Sequence, residues 1–280
     1  MSENTMVTAP ARRRGTSSVL RATGSSLLTA ILALGSLIIV WMAAIWLLRV
    51  PPFVGKGPVD VWRYLFMGEE AEANRAYVFG ELGQTLLDAS IGFSTGMGAA
   101  LLLAALFLLV RPLEHAIMPL ALLVQSMPLI AIAPLIILIF GRETATVAVM
   151  GGLVVVFPAL VTIVFGLRSV SPYMVELVSV YGGGSLATLL RVALPSSVPA
   201  LFSAVRIAVP GSITGALIAE WLATGQGVGR AIVAAVAQAK MSEVWALAAV
   251  ATIVSISLYM VVNLIESAVL ARFGFRRAEA

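Results

Sequence analysis

The sequence predicts an all-α membrane protein with six transmembrane helices. Among its 280 residues, 60% are hydrophobic and 11% are charged, and the mean hydropathy is +1.02. Soluble domains contain about a quarter charged residues, so this composition indicates an integral membrane protein. Five apolar runs without a charged residue are each long enough to cross the roughly 30 Å of hydrocarbon in a bilayer. These runs are 27–48, 89–110, 116–140, 145–167 and 244–265.

A sixth span is predicted over residues 200–222, although this run contains two charged residues. Arg206 lies near one end and Glu220 near the other, and charged side chains near helix ends can reach the interface or face a bundle interior. Six spans place both termini on one side of the membrane. Because most of the 18 basic residues fall on that side, the positive-inside rule predicts cytoplasmic termini for a multi-pass protein of a bacterial inner membrane.

The segments around the spans complete the predicted domain organisation. The first apolar run is longer than a signal-peptide core, which has roughly 7 to 15 residues, so we expect a retained anchor. We expect a disordered cytoplasmic tail over 1–24, a membrane domain over 25–272 and a second cytoplasmic tail over 273–280. Two outside loops are predicted, at 49–80 and 223–243, and the stretch VDVWRYLF in the first is typical of a short interfacial helix.

The one substantial cytoplasmic loop, 168–199, contains the stretch VELVSVYGGGSLATLLRVALPSSVP. Pro172 favours the start of a short helix over 172–181, because proline is well tolerated in a first helical turn. The glycines Gly182–Gly184 follow this helix, and they can supply the positive φ angles that a sharp turn needs. The first half of the loop is therefore predicted to be a helix that ends in a glycine turn.

The second half of the loop is predicted to be another helix, SLATLLRVAL, with Ser185 as its N-cap and with Pro195 and Pro199 at its end. The two helices and the turn would make a rigid protrusion. Its apolar side chains exceed what a solvated connector needs, which favours a protein partner that covers them. Packing against the cytoplasmic ends of the chain's own helices is the alternative. The apolar side chains are Val175, Val178, Val180, Leu186, Leu189 and Leu190.

The spacing of Glu176, Gly182 and Leu194-Pro195 resembles the EAA loop of ABC importer permeases, whose pattern is Glu-Ala-Ala, three residues, Gly and a later Leu-Pro. Downstream, ALFSAVRIA, IAEWL and TGQGVG are similar to successive motifs of the same family. Upstream, QSMPLIAIAPLIILIFG resembles the third helix of its nitrate, sulfonate and taurine branch. The resemblance extends over about 85–273, nearly the whole membrane domain.

This resemblance implies the fold and the partners of a type I importer permease. The fold would be the MetI-like permease fold, in which the cytoplasmic loop is a coupling helix that docks on an ATPase. The partners would be a second permease copy in a homodimer, two ABC ATPase subunits that bind ATP and Mg²⁺, and an extracytoplasmic solute-binding protein. The solute would be a sulfonate, taurine, nitrate or a similar anion, or a pyrimidine-type vitamin precursor. The residues implied in coupling are Glu176, Tyr181, Gly182, Gly183, Leu194 and Pro195.

Several other function classes find no support in the sequence. Lys56 and Lys240, the only lysines, do not end a phosphate-binding glycine loop, so we expect no enzyme activity and no cofactor in this chain and place ATP hydrolysis in a separate subunit. The basic pI of 9.8 is typical of arginines beside a membrane, and no nucleic-acid partner is expected. An ion-coupled secondary transporter remains the alternative. It would need ionisable residues at mid-membrane, whereas we expect Asp88 and Glu220 near span ends and His115 near the interface.

Polar side chains within the apolar spans are the candidates for a translocation path. Pro128 and Pro134 are expected to bend the third span and to free backbone carbonyls. Hydrogen bonding between packed helices is the alternative role for each polar side chain. Gly92 and Gly96 allow a close approach of two helices, which we place at a dimer seam. The candidate path residues are Gln125, Ser126, Met127, Pro128, Ser212 and Glu220.

Overall fold

The computed structural model of the chain describes residues 35–272, and all regular secondary structure in that range is helical. The predicted tails over 1–24 and 273–280 lie outside the described residues. The first predicted span, 27–48, is described only from residue 35 onward. There it forms helix α1 (Gly35–Leu47), which belongs to a unit separate from the rest of the chain.

The second unit, from Arg49 onward, consists of α-helices and two π-helical segments joined by short turns. The π-helical segments are Leu189–Ala193 and Glu220–Thr224. The α-helices are α2 (Pro58–Phe66), α3 (Ala71–Leu109), α4 (Arg111–Ser126), α5 (Leu129–Phe140), α6 (Thr144–Arg168), α7 (Pro172–Val180), α8 (Ser185–Thr188), α9 (Leu194–Ser196), α10 (Val198–Ala219), α11 (Gly227–Ala237) and α12 (Met241–Arg272).

Four helices among the described residues are long and apolar enough to cross a membrane: α3, α6, α10 with its π-helical extension, and α12. The predicted spans at 145–167, 200–222 and 244–265 correspond to α6, α10 and α12. The predicted run 116–140 is instead two helices, α4 and α5, which meet at an angle of 106°. Counting that pair as one broken span gives five, so the described residues do not reproduce the predicted count of six.

The break between α4 and α5 has a local cause at Pro128. Proline disfavours the helical region for the residue before it, and Met127 accordingly has φ −75° and ψ 131°. Pro128 itself is extended, with ψ 119°, and α5 begins at the next residue. The prediction of a bend at Pro128 is confirmed, whereas α5 continues through Pro134 without a break.

The two segments predicted to be outside loops, 49–80 and 223–243, are more helical than hydropathy predicts. The stretch VDVWRYLF lies in α2, as expected. The predicted outside loop 49–80 is shorter than expected, however, because α3 begins at Ala71 rather than near residue 89. Likewise α11 lies within the predicted loop 223–243. A search for uncharged runs misses these segments because helical turns outside the hydrocarbon layer carry charged side chains such as Arg75 and Arg230.

The centre of the second unit is a close crossing of α3, α6 and α10 at glycines. A Cβ atom added to Gly92 of α3 would lie 2.8 Å from the Cα of Gly151 of α6, and one added to Gly215 of α10 would lie 2.8 Å from the same Cα. One turn further along α3, a Cβ at Gly96 would lie 2.7 Å from the carbonyl oxygen of Gly152. Small residues thus let three backbones touch.

This crossing corrects the predicted role of the α3 glycines. Gly92 and Gly96 are buried against α6 of the same chain, so the expectation that they form a dimer seam is wrong. Thr95, between them, donates a hydrogen bond of 3.0 Å to the carbonyl oxygen of Ala148 on α6. The sequence shows that these glycines permit close packing, but it does not show which helix packs against them.

The glycine crossing predicts opposite effects for two alanine substitutions in α3. Gly92→Ala should lower the free energy of unfolding by on the order of 1–3 kcal/mol, because the added methyl group overlaps the α6 backbone. Gly98→Ala is the matched control: no heavy atom lies within 4 Å of its added Cβ, so the better helix propensity of alanine should leave stability equal or higher. Thermal unfolding of both variants in detergent measures the difference, and equal midpoints would contradict the crossing.

Candidate functional site

The first half of the predicted coupling loop is a helix that stands clear of the rest of the chain. Helix α7 begins at Pro172, as predicted, and none of its residues is buried. Val180 and Tyr181, at its C-terminal end, are 82% and 85% exposed, and the Glu176 side chain is exposed as well. Apolar side chains therefore dominate a free surface. The large ones are Tyr173, Met174, Val175, Leu177, Val180 and Tyr181.

The glycine turn after α7 is a Schellman motif. The amide of Gly182 donates to the carbonyl of Ser179 at 2.9 Å, and the amide of Gly183 donates to the carbonyl of Val178 at 2.8 Å. These two bonds satisfy carbonyls that the helix end leaves unpaired. Gly182 has φ +76°, the left-handed value predicted for it.

The other two glycines of the run serve different purposes from the one predicted. Neither Gly183 nor Gly184 has a positive φ. A Cβ on Gly183 would lie 2.5 Å from the Cγ1 of Val178 and 3.0 Å from its carbonyl oxygen, so this position needs glycine for space. Gly184, with ψ −172°, is the N-cap of α8. The prediction that Ser185 is the N-cap is therefore wrong, because Ser185 is already the first helical residue.

The second half of the loop packs against its own chain. Leu189 and Ala193 are buried in a cluster with side chains of α3, α6 and α10, and Leu194 packs against that cluster. The helix that starts at Ser185 ends at Ser196, one residue past Pro195, and Pro199 lies in the first turn of α10, so the predicted end of this helix is confirmed to within one residue. Each interpretation of the loop thus describes one half: α7 is free, and the residues after Gly184 are anchored.

The elbow between α4 and α5 contains the four path candidates that are adjacent in sequence, residues 125–128, and all four are exposed. A cavity of about 220 Å³ lies against α6. Ser126 and Pro128 flank Met127 at the elbow, and the Ser126 hydroxyl donates to the Leu123 carbonyl at 2.7 Å. Gln125 contributes the one side-chain amide to the cavity wall. The lining residues are Val124, Gln125, Met127, Leu129, Ile132, Leu153, Val154, Phe157 and Pro158.

The other two path candidates, Ser212 and Glu220, do not line this cavity. Ser212 is buried in α10, and its hydroxyl donates to the Val209 carbonyl at 2.8 Å. Glu220 is fully buried where α10 passes into its π-helical extension. The structure therefore brings Gln125, Met127 and their neighbours together and leaves these two elsewhere, and the assignment of all six to a path stays a prediction.

Glu220 instead belongs to a polar cluster that sequence reasoning missed. Its Oε2 atom accepts a hydrogen bond of 2.8 Å from the Gly229 amide and one of 3.0 Å from the Thr85 hydroxyl. The Thr85 hydroxyl in turn accepts from the Val228 amide at 2.9 Å. Both amides lie in the first turn of α11, so a carboxylate and a hydroxyl from two other helices cap its N-terminus.

Gly227 makes room for the Glu220 carboxylate, and Gly229 makes room for the backbone of α10. A Cβ on Gly227 would overlap the carboxylate, and one on Gly229 would overlap the carbonyl oxygen of Leu217. Gly227 also has φ +81°. The sequence signal for this cluster is the acidic residue in IAEWLATGQGVG that precedes a glycine-rich turn, but its partner Thr85 is 135 residues away in sequence and cannot be identified from that stretch.

Within the described residues, the other buried charged side chains are Asp88 and the acidic members of two ion pairs. Asp88 lies near the middle of the 39-residue helix α3 and directly before its uncharged run 89–110, so its place near a span end stays a prediction. Asp88 is buried, and its Oδ1 atom accepts a hydrogen bond of 3.1 Å from the side-chain amide of Gln84. The two ion pairs are Arg206 with Glu266, at 3.1 Å, and Arg168 with Glu114. Within 35–272, no three His, Asp or Glu side chains converge as a metal ion requires.

Comparison with known proteins finds a family match over the region that contains the 168–199 loop and the elbow cavity. Residues 92–274 match the family described as binding-protein-dependent transport system inner membrane component. The chain is 29% identical over 237 residues to a probable ABC transporter permease protein of Haemophilus influenzae, covering 85% of this chain and 94% of that protein.

Two further relatives are named for the solute that they transport. A riboflavin transport system permease protein of Chloroflexus aurantiacus is 28% identical over 234 residues, which are 82% of this chain and 84% of that protein. An Escherichia coli protein named as an aliphatic sulfonates transport permease is 28% identical over 202 residues, which are 66% of this chain and 77% of that protein.

The carboxylate cap on α11 predicts unequal effects for two neighbouring glycine substitutions. Both Gly225 and Gly227 have positive φ, +69° and +81°, so alanine at either position costs about 1 kcal/mol of backbone strain. Gly227→Ala should cost clearly more, because its methyl group also displaces the Glu220 carboxylate, whereas the Cβ of Gly225→Ala meets no atom within 4 Å. Thermal unfolding of the two variants measures the difference. A Gly225→Ala variant as unstable as Gly227→Ala would contradict the cap.

Proposed function

The chain belongs to the family of binding-protein-dependent transport system inner membrane components, as a permease of a small-solute ABC importer, and we propose that its 168–199 loop couples it to separate ATPase subunits. The observation that carries this proposal is the free, apolar α7 fixed by the glycine turn at Gly182. An unburied helix with Tyr173 within it, Tyr181 at its C-cap and a single carboxylate has the surface of a docking element.

The membrane domain works with several other proteins. An ABC importer permease requires an ATPase and a solute-binding protein, as the family description states for the latter. We assign two ATPases, which bind ATP and Mg²⁺, to a homodimer of this chain in a bacterial inner membrane. With both termini in the cytoplasm, α7 faces the ATPases, and the binding protein delivers solute on the opposite side.

The two halves of the loop suggest how nucleotide binding reaches the membrane. Helix α7 is free to sit on an ATPase surface, while Leu189 and Ala193 are packed among α3, α6 and α10. When two ATPases close around ATP, α7 moves with them, and the anchored half transmits that movement to the helices. The helix bundle then alternates between inward-facing and outward-facing arrangements.

The proposed substrate is a small organic or inorganic solute. The relatives' names include riboflavin and aliphatic sulfonates, which differ in charge, so kinship alone leaves both a sulfonate-type anion and a neutral ring compound as substrates. The elbow cavity provides apolar walls and the Gln125 amide. An amide can donate to an anion and can also pair with a heterocycle. A labelled panel of taurine, an alkanesulfonate, nitrate, riboflavin and a pyrimidine covers these classes.

Substitution in the glycine turn should weaken docking of the ATPase. Gly182→Val forces a β-branched residue to φ +76°, at a cost of about 1–2 kcal/mol, and should reduce co-purification of the ATPase and ATP-driven uptake together. Gly184→Val is the matched control, because Gly184 has φ −88° and no atom within 4 Å of its added Cβ. Glu176→Lys should weaken docking without straining the turn.

Binding-protein delivery, on the other side of the membrane, should survive all three substitutions. The measurement is affinity purification of the tagged permease from membranes, with quantification of bound ATPase, followed by uptake of the solute panel. Wild-type ATPase association and wild-type uptake in both Gly182→Val and Glu176→Lys would show that the loop is only a connector.

Bulky substitutions at the elbow should block solute without disturbing the ATPase. Gln125→Trp and Ser126→Trp should lower uptake of the solute that the wild type imports by at least about tenfold. A tenfold loss corresponds to a rise of about 1.4 kcal/mol in the free-energy barrier to transport. Basal ATP hydrolysis by the assembled complex should stay near the wild-type rate, because α7 is untouched. Unchanged uptake in the double variant would remove both residues from the path.

A further inference from the structure

We propose that the ion pair between Glu114 and Arg168 is the positioning contact that makes α4, and with it the elbow cavity, follow the coupling loop. Arg168 is the last residue of α6, and α7 begins soon after it at Pro172. Glu114 lies in the first turn of α4, whose other end is the elbow. This inference rests on the proposed function, because it assumes that the loop is moved by an ATPase.

The pair joins a buried acid to a half-exposed base. The Glu114 side chain is 10% exposed and that of Arg168 is 49% exposed, and a guanidinium nitrogen of Arg168 donates to Oε2 of Glu114. A buried carboxylate needs a charged or hydrogen-bonding partner, and removing the partner is strongly destabilising. Glu114 therefore tends to stay with Arg168 when the end of α6 moves.

Helix α4 makes most of its other contacts in its first half. Of its 16 residues, only Glu114 and Ala121 are buried, and large apolar side chains on it, such as Leu120, Leu122 and Leu123, are exposed in the single chain. A helix held mainly near one end can swing about that end. The ion pair at the start of α4 therefore has a large influence on where the elbow at its far end lies.

A hydrophobic contact of the same helix end supports this linkage. Leu113 and Ile117 of α4 pack against the cluster that contains Leu167 of α6 and Leu189 and Ala193 of the loop. The start of α4, the end of α6 and the anchored half of the loop thus form one contiguous body. Gln125 lies at the other end of α4, in the wall of the elbow cavity. A movement of the loop is passed through this body to the cavity.

The test is the number of ATP molecules hydrolysed per solute molecule imported. The complete complex, with ATPase and binding protein, is assembled in proteoliposomes with the panel member that the wild type imports. Glu114→Gln and Arg168→Gln should each raise that ratio at least about 5-fold, the lower end of typical coupling energies, while ATPase co-purification stays at the wild-type level. The charge-reversed double variant, Glu114→Arg with Arg168→Glu, should bring the ratio back toward the wild-type value.

The second buried ion pair provides the control. Glu266→Gln breaks the pair with Arg206, which joins α12 to α10 and does not involve α4. It should lower thermal stability without changing the ATP-to-solute ratio. If Glu114→Gln does not assemble, Arg168→Lys keeps the charge but loses the planar guanidinium contact, and it should raise the ratio less than Arg168→Gln does.

The outcomes separate this inference from the proposed function. Three results would each overturn the positioning role of the Glu114–Arg168 pair without counting against the importer itself. They are a wild-type ATP-to-solute ratio in both glutamine variants, a double variant that does not restore the ratio, and an equal rise of the ratio in Glu266→Gln. A wild-type complex that takes up no panel member in response to ATP would instead count against the proposed function.

Discussion

The close crossing of α3, α6 and α10 at Gly92, Gly151 and Gly215 is the contact on which the rest of the structure depends. Inside a bilayer the hydrophobic effect does not drive helices together, because lipid tails are as apolar as the helix surfaces. Helices associate there through close packing and interhelical hydrogen bonds. The three backbones touch because no side chain separates them. The wall of the elbow cavity, the anchored half of the loop and the Glu220 cap all contact one or more of these three helices.

Irregular backbone occurs at defined places around this centre, and hydrogen bonds within the protein satisfy polar groups at two of them. The Schellman motif pairs the carbonyls at the end of α7, and Glu220 with Thr85 pairs amides at the start of α11. The elbow at Met127 and Pro128 is tolerated beside a cavity, where backbone groups need not face lipid. Close packing and these local irregularities together give a helix bundle from which one helix, α7, stands exposed.

Much of this arrangement could be predicted from sequence, because several signals are local. Apolar runs locate α6, α10 and α12, and Pro172 and Gly182 mark the limits of α7. The rest depends on contacts between distant residues. The stretch around Glu220 does not reveal the cap on α11, because its partner Thr85 is 135 positions away. The α3 sequence likewise does not show which helix faces Gly92. Hydropathy also treated 116–140 as one span, since a run of apolar side chains continues across the Pro128 elbow.

Coupling to ATP rather than to an ion gradient is the central claim, and Asp88 is a buried ionisable residue of the kind that an ion-coupled transporter would also use. The most direct measurement is solute uptake into proteoliposomes that contain this chain, its ATPase and its binding protein, energised either by ATP on the ATPase side or by a proton or sodium gradient without ATP. The account predicts uptake of one panel member with ATP and with binding protein, and none with either gradient alone. Uptake driven by a gradient in the absence of ATP would contradict it.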